Sequence, residues 1–176
     1  MSGGVKDKLL KFLRECKISN NRAVFADLRC ALRDNLKHRA WPYLARFGGI
    51  GEHQKEYDHY AKVVQVVAGL FATHSKESPG IDFGSACRGL MRDEEQKKLY
   101  DSKEVGPLGR RFQYLLSSEK EEICDRVIRF VIYMKANNIP VNYDELFDGL
   151  LFWGDKIKTR WAGSFWKASH VEEVIE

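Results

Sequence analysis

Apolar residues recur at intervals of three and four along most of the chain, which is the spacing of one face of an α-helix. The clearest segment is 54–73, where an unusually wide apolar stripe predicts a buried, central helix. The stripe consists of Tyr57, Tyr60, Ala61, Val63, Val64, Val66, Val67, Ala68, Leu70 and Phe71. No stretch sustains the apolar–polar alternation of a half-buried β-strand. The pattern therefore predicts an all-α protein.

Weaker stripes predict further helices, and residues with capping preferences mark several of their ends. Either Asn20 or Asn21 can cap a second helix, and Asp82 can cap one further along, by accepting a bond from a free first-turn amide. Ser118 and Glu121 have the spacing of a capping box, which places a helix start near residue 119. We expect helices over 5–16, 22–38, 54–73, 108–116, 119–136 and 143–168, with shorter ones after Trp41-Pro42 and after Asp82; Gly149, Gly154 and Gly163 are candidate bends in the last.

One charged segment interrupts the apolar pattern near the middle of the chain. It is "DEEQKKLYDSKEVGP", residues 93–107, and it ends in a Gly-Pro pair that is typical of a connection. We therefore predict two helical halves, 1–100 and 101–176, packed together as one compact helical bundle. A chain of 176 residues is long enough to bury a self-sufficient core.

Composition narrows the class of protein. The hydrophobic share of 44% and the charged share of 31% are typical of a globular domain, and the net charge of +4 excludes a strongly basic tail. The four cysteines form no C-x-x-C pair, which argues against a zinc ribbon. The start of the chain lacks a signal-peptide apolar core, and the longest apolar run, 63–72, is too short for a bilayer. We expect a cytoplasmic protein with reduced thiols and no membrane contact.

No catalytic motif stands out among the candidate residues. His53 and His59 are six residues apart, so they lie on different helix faces and cannot chelate one metal ion. The glycine-rich "GGIG" at 48–51 follows a helical segment rather than a strand, which favours a hinge over a phosphate cradle. Cysteines on predicted helices lie among apolar residues and are interpreted as packed thiols: Cys30, Cys87 and Cys124. The sequence thus predicts no catalytic residue, no metal site and no cofactor.

Positive charge is segregated on the predicted helix 22–38. At about 100° per residue, Arg22, Arg29 and Arg33 fall within roughly a 40° arc, and Lys37 lies slightly further round. Such a line favours contact with the phosphates of a nucleic acid. The alternative is a solvated face held by salt bridges.

The last predicted helix has a similar division into two lines. Trp153, Ile157, Trp161 and Phe165 form an apolar line that predicts a core contact, while Phe152 and Trp166 fall off it and could cover another helix, meet a partner or stack on a base. A basic line runs beside it and consists of Lys156, Arg160 and Lys167. These cations are further candidates for phosphate contact.

Two arginines occupy an unfavourable place at the start of helix 108–116. Arg110 and Arg111 lie in its first turn, where the helix dipole disfavours cations. A bound phosphate would compensate, because arginine forks and free N–H groups would both meet it. The alternative is pairing with the acidic residues of 93–104.

Three segments in sequence resemble one protein family. They are "DLRCALRDNLKHRAWPYLARFGG", "VAGLFATHSKES…GIDFGSACRGLM" and "RRFQYLLSSEKEEICDRVIRFVIYMKANNIPVNYDELFDGLLFWGD…RWAGSFW". Their order and spacing are similar to those of the CasB family, the small subunit of the type I-E CRISPR surveillance complex, Cascade. The resemblance covers nearly the whole chain, and its last block is the most specific.

The resemblance implies an all-helical fold of two halves and a role without catalysis in antiviral defence. Family members help to hold the displaced non-target DNA strand and stabilise the R-loop, while base pairing with the guide gives specificity. The implied partners are other Cascade subunits, guide RNA, single-stranded DNA and a second copy of the chain. By motif position, the implied contacts are Arg29, Arg33, Arg88, Arg110 and Arg111, with Lys156 and Arg160 in a more variable basic stretch.

Two features depart from the family pattern. The net charge of +4 is modest for a protein that holds a nucleic-acid strand, and the charged segment 93–104 is longer than expected. The alternative function is a helical protein–protein interaction module with no direct nucleic-acid contact.

Overall fold

Ten α-helices make up most of the described residues, 4–51 and 55–167, in this computed structural model. Within these ranges the β-structure amounts to one isolated bridge, between Glu77 and Val141. The all-α prediction is confirmed. In chain order the helices are α1 (Val5–Ile18), α2 (Arg22–Arg29), α3 (Trp41–Leu44), α4 (Lys55–Thr73), α5 (Phe83–Arg88), α6 (Asp93–Ser102), α7 (Pro107–Leu116), α8 (Ile123–Ala136), α9 (Tyr143–Leu151) and α10 (Asp155–Trp166). Short 3₁₀ helices cover Cys30–Leu32, Lys37–Arg39 and Ala45–Phe47.

Helix α4 is the centre of the bundle, as the width of its apolar stripe predicts. Its residues from Val63 to Ala72 are all buried. The helices α1, α2, α8 and α9 and the 3₁₀ turn Cys30–Leu32 pack around it. Because α4 contacts elements from both ends of the chain, one continuous apolar core extends from Leu9 to Phe165. The predicted boundary between 1–100 and 101–176 falls inside α6, and the division into two halves stays a prediction.

Helix ends follow the capping chemistry in several places. The Asn21 side chain accepts a bond from the Val24 amide at 3.3 Å, and the Asp82 carboxylate accepts one from the Ser85 amide at 2.8 Å. At the end of Ala45–Phe47, Gly48 adopts a left-handed φ of 74°, a conformation that favours glycine. The first two ends match the predictions for Asn21 and Asp82.

The predicted straight helix over 22–38 is wrong. Helix α2 ends at Arg29, a 3₁₀ turn follows, and Arg33 has extended backbone with φ −120° and ψ 123°. In this tighter turn Ala31 is buried and Leu32 packs on Gly69 of α4, where a side chain larger than hydrogen would collide with it. Tertiary packing against α4 therefore overrides the local helical pattern.

The capping box proposed for Ser118 and Glu121 is also wrong. Helix α8 begins at Ile123, after a turn in which the Glu122 carboxylate accepts the Glu119 amide at 3.0 Å. Ser118 is held elsewhere, because its carbonyl accepts the Trp153 indole N–H at 2.8 Å. The predicted start at 119 thus lies one turn too early.

The predicted helix 143–168 is divided into α9 and α10 by residues 152–154. Gly154, one of the candidate bends, has an extended backbone at the start of α10. The apolar line nevertheless forms as predicted, because all of its members are buried: Trp153, Ile157, Trp161 and Phe165. Residues after 167, including His170, and residue His53 lie outside the described ranges.

We expect Gly84→Ala to destabilise the fold by about 1–3 kcal/mol. Helix α5 packs on α10 at this glycine, and a Cβ there would collide with the backbone carbonyl of Trp161. Gly163→Ala is the matched control, because a Cβ at this position of α10 meets no atom within 4 Å. Alanine there should stabilise α10 by about 0.5–1 kcal/mol. Urea unfolding followed by circular dichroism measures the free energy of unfolding of both variants. Equal changes in that free energy at the two positions would contradict the proposed close contact.

Candidate nucleic-acid interface

The basic line predicted on 22–38 does not exist as a single helical stripe. Arg22 and Arg29 lie two turns apart on one face of α2, but Arg33 follows the helix in an extended turn and Lys37 belongs to a separate 3₁₀ helix. The Arg29 Nε donates to the Ala72 carbonyl at 2.9 Å, so this side chain is fixed against α4. Arg22 and Arg33 are exposed and form no ion pair within the described part of the chain.

Arg88, at the end of α5, has a structural role. Its guanidinium donates to the carbonyl of Phe165 at 3.2 Å and to that of Lys167. These bonds satisfy carbonyls at the end of α10, which have no partner within the helix. Lys167 itself lies just beyond α10 and is exposed.

The basic edge of α10 is partly neutralised. Arg160 forms an ion pair with Glu145 at 2.8 Å, whereas Lys156 is exposed without an ion pair to any described residue. The same carboxylate accepts the Trp161 indole N–H at 2.6 Å and the Phe83 amide at 2.9 Å. Burial raises the pKa of Glu145, although these bonds to Trp161 and Arg160 oppose the shift. Arg160 therefore balances a half-buried acid and is less available to a phosphate than Lys156.

The two off-line aromatic residues of the last segment differ in exposure. Trp166 is half-buried and packs on Phe112 of α7, with ring centroids 6.3 Å apart, and closely approaches Gly109. Phe152, between α9 and α10, has 67% of its surface exposed. Of the alternatives raised for Trp166, covering another helix is the one the contacts support.

At the N-terminus of α7, where a bound phosphate is one interpretation of the sequence, the structure instead has an acidic side chain. The Glu95 carboxylate accepts the Gly109 amide, a free first-turn N–H, at 3.0 Å. Arg110 donates from Nε to the Val105 carbonyl at 3.3 Å, and Arg111 forms no ion pair with the described residues. Of the acids of 93–104, Glu95 thus meets the helix N-terminus, and none forms an ion pair with either arginine.

Arg111 lines an open groove between α7 and α8, which we call the α7–α8 groove. Its volume is about 360 Å³. Three cationic side chains and two tyrosines line this groove, together with apolar residues that include Leu115 and Phe130. The cations are Arg111, Arg126 and Arg129, and the tyrosines are Tyr114 and Tyr133.

Arg126 has a fixed position within this groove. Its guanidinium lies 3.9 Å from the Tyr114 ring centroid and donates to the Ser118 hydroxyl at 3.0 Å and to Glu122 at 3.2 Å. Arg129, one turn further along α8, is exposed and makes no ion pair with the described residues. The groove therefore combines one anchored arginine with two, Arg111 and Arg129, that pair with no carboxylate among the described residues.

A comparison with protein-family models decides which family this chain represents. The model of the CRISPR-associated protein Cse2 matches residues 24–166, most of the chain. The chain belongs to the Cse2 family. The resemblance to the CasB family is confirmed by this match and by solved CasB structures, which share the fold. No curated protein sequence matches this Cse2 chain.

Solved structures show the same fold at low sequence identity. CasB from Thermus thermophilus is 21% identical, with a TM-score of 0.69 over 94% of this chain and 100% of its own. CasB from Thermobifida fusca is also 21% identical, with a TM-score of 0.66 over 91% and 94%. A chain of a CRISPR RNA-guided surveillance complex is 15% identical, with a TM-score of 0.64 over 98% of both chains.

Four of the five polar groove residues of this Cse2 chain are not among the candidates that the sequence predicts. Arg126, Arg129 and Tyr133 are spaced by three and four on α8, and Tyr114 lies three residues after Arg111 on α7. This is the spacing of a shared helix face, so the signal was present in each helix. What the sequence lacked was the pairing of α7 with α8, which brings the two faces together.

The rest of the Cse2 chain offers no other site chemistry in the ranges that the structure describes. Within them, no group of three or more His, Cys, Asp or Glu side chains is placed to hold a metal ion. Cys87 and Cys124 are buried, and burial raises the pKa of both thiols, for Cys124 to about 12. Cys30, interpreted as a packed thiol, is only half-buried. No described helix is long and apolar enough to cross a bilayer.

Proposed function

We propose that this Cse2 protein is a non-catalytic small subunit of a CRISPR RNA-guided surveillance complex, Cascade. In that complex its α7–α8 groove would hold the displaced non-target DNA strand and so stabilise the R-loop. Membership of the Cse2 family supports the first part of the proposal. So does the fold shared with a chain of a CRISPR RNA-guided surveillance complex.

The α7–α8 groove is the observation that carries the second part. Proteins that hold single strands without sequence preference combine cations for the backbone with aromatic faces for the bases. Arg111 and Arg129 supply charge, and Tyr114, with 63% of its surface exposed, and Tyr133 supply rings. Such contacts read the backbone and the stacking faces rather than the sequence. Binding of this kind suits a subunit whose target changes with every guide.

Modest affinity is sufficient for this role. The guide–target heteroduplex is about as stable as the DNA duplex that it replaces, so R-loop formation is a nearly balanced exchange. A few phosphate contacts, together with stacking worth about 1–3 kcal/mol per base, are enough to shift that balance. The net charge of +4 is compatible with a local groove that does this work. The exposed Arg22, Arg33 and Lys156 remain candidates for additional phosphate contacts.

The proposal is tested by R-loop lifetime in a reconstituted surveillance complex. We expect addition of the wild-type chain to lengthen the lifetime of the open target. An Arg111→Ala, Arg129→Ala chain should assemble equally well and lengthen it much less. An equal lifetime with both chains would overturn strand holding in this groove. Such a result would mean that assembly alone lengthens the lifetime, and the chain would then be a protein–protein interaction module, the alternative function.

A further inference from the structure

Helix α7 has no cap of its own and takes one from α6. The residue before it, Gly106, has no side chain to accept the free first-turn amides. The Glu95 carboxylate fills this place by accepting the Gly109 N–H at 3.0 Å, across 14 residues of chain. A carboxylate at a helix N-terminus is favoured by the dipole. An acidic side chain of α6 therefore takes the position that an anion would otherwise prefer.

Close approach of α6 to the start of α7 depends on Gly106. A Cβ at Gly106 would collide with the Glu95 side chain, so glycine is what allows the contact. No residue of α6 is buried. At its C-terminal end, Lys103 adopts a left-handed φ of 58°, which costs a residue with a side chain about 1 kcal/mol or more. Little apolar burial thus opposes movement of α6.

The acids of this segment line the approach to the α7–α8 groove. Helix α6, residues 103–106 and the start of α7 enclose a cavity of about 540 Å³, with Glu94, Glu95 and Glu104 in its wall. The cavity and the groove have wall residues in common: Leu108, Arg111 and Tyr133. The same wall also carries Arg92 and Lys98, so a phosphate that reaches Arg111 from this end passes cations as well as carboxylates. Among those carboxylates, Glu95 already occupies the α7 N-terminus.

We propose that α6 is an autoinhibitory acidic strap, in which Glu95 occupies the α7 N-terminus beside Arg111 and competes with a nucleic-acid phosphate for the Gly109 amide. When a strand enters, Glu95 leaves the Gly109 amide and α6 turns away about residues 103–106. The strap keeps the lone chain from holding single strands tightly, and a strand presented at high local concentration displaces it. This inference rests on the proposed function of the α7–α8 groove.

The strap is tested with isosteric charge removals and a single-stranded oligonucleotide of mixed sequence. Glu95→Gln keeps an oxygen that can accept the Gly109 amide, and Glu104→Gln removes a charge that has no part in the cap. Glu15→Gln is the matched control, because Glu15 is an exposed acid on α1 with the same change in net charge. We expect Glu95→Gln and Glu104→Gln to tighten binding about three- to tenfold relative to Glu15→Gln, as measured by fluorescence anisotropy.

Hydrogen exchange provides a second measurement of the same strap. Addition of the oligonucleotide should speed amide exchange in residues 93–106 of the wild-type chain, because α6 is released. Equal affinity of all three variants, or slower exchange in 93–106, would overturn the strap while leaving the groove as a binding site. No binding by wild type or by any variant would overturn the proposed function, and the strap with it.

Discussion

Alanine at both Arg111 and Arg129 should weaken binding of a single-stranded oligonucleotide by about 10- to 100-fold at low salt. Both side chains are exposed in the α7–α8 groove, and neither forms an ion pair with a described carboxylate. Each is therefore free to contact a phosphate and release a counterion. For two lost phosphate contacts the slope of log affinity against log salt should become less steep by about 1.4.

Titrations between about 50 and 200 mM salt, across several oligonucleotide sequences, measure affinity and slope together. Lys8→Ala, Lys11→Ala is the matched control, because both lysines are exposed on α1 outside the groove and the net charge changes equally. The control should retain the wild-type slope. A loss of similar size in both double variants would show that net charge, rather than the groove, determines binding.

Trp161→Ala should destabilise the chain by about 3–5 kcal/mol. Trp161 is fully buried on α10. Its ring centroid lies 4.8 Å from that of Phe83 and 5.2 Å from that of Trp153, and its indole N–H donates to the Glu145 carboxylate. Truncation opens a cavity between α5, α9 and α10 and removes one donor from a half-buried carboxylate. The midpoint of thermal unfolding should fall by about 6–20 °C for a domain of this size.

Phe152→Ala is the control for that prediction. It removes a large aromatic side chain from the same region, but 67% of Phe152 is exposed, so the loss should stay within about 0.5 kcal/mol. Thermal unfolding followed by circular dichroism compares the two variants. Comparable stability of Trp161→Ala and the wild type would contradict the assignment of this tryptophan to the core.

Periodicity predicted the core better than it predicted the surface. The apolar lines of α4 and α10 form as expected, because burial of a wide apolar face is specified by the sequence of the helix itself. Helix boundaries were less predictable where another element intervened. The turn after Arg29 follows from packing on Gly69, and the late start of α8 follows from the Ser118–Trp153 bond. Both contacts join residues far apart in the chain.

The candidate site was predictable only in part, for a related reason. Arg111 was found from its place in the first turn of a helix, but its groove partners Arg129 and Tyr133 lie on another helix. Arg88 and Arg160 looked like equivalent cations in the sequence. The structure shows that Arg88 binds carbonyls of α10 and that Arg160 pairs with Glu145. Whether a cation is available to a ligand depends on such tertiary partners, which no local pattern reveals.

The most direct test of strand holding is cross-linking from within the groove of an assembled complex. A photoreactive phenylalanine analogue at Tyr133, which lines the α7–α8 groove, can be compared with the same analogue at Ile18, 85% exposed on α1. In a complex bound to target DNA, position 133 should cross-link to the displaced non-target strand, and position 18 should not. An open R-loop in which position 133 fails to cross-link to that strand would contradict the account.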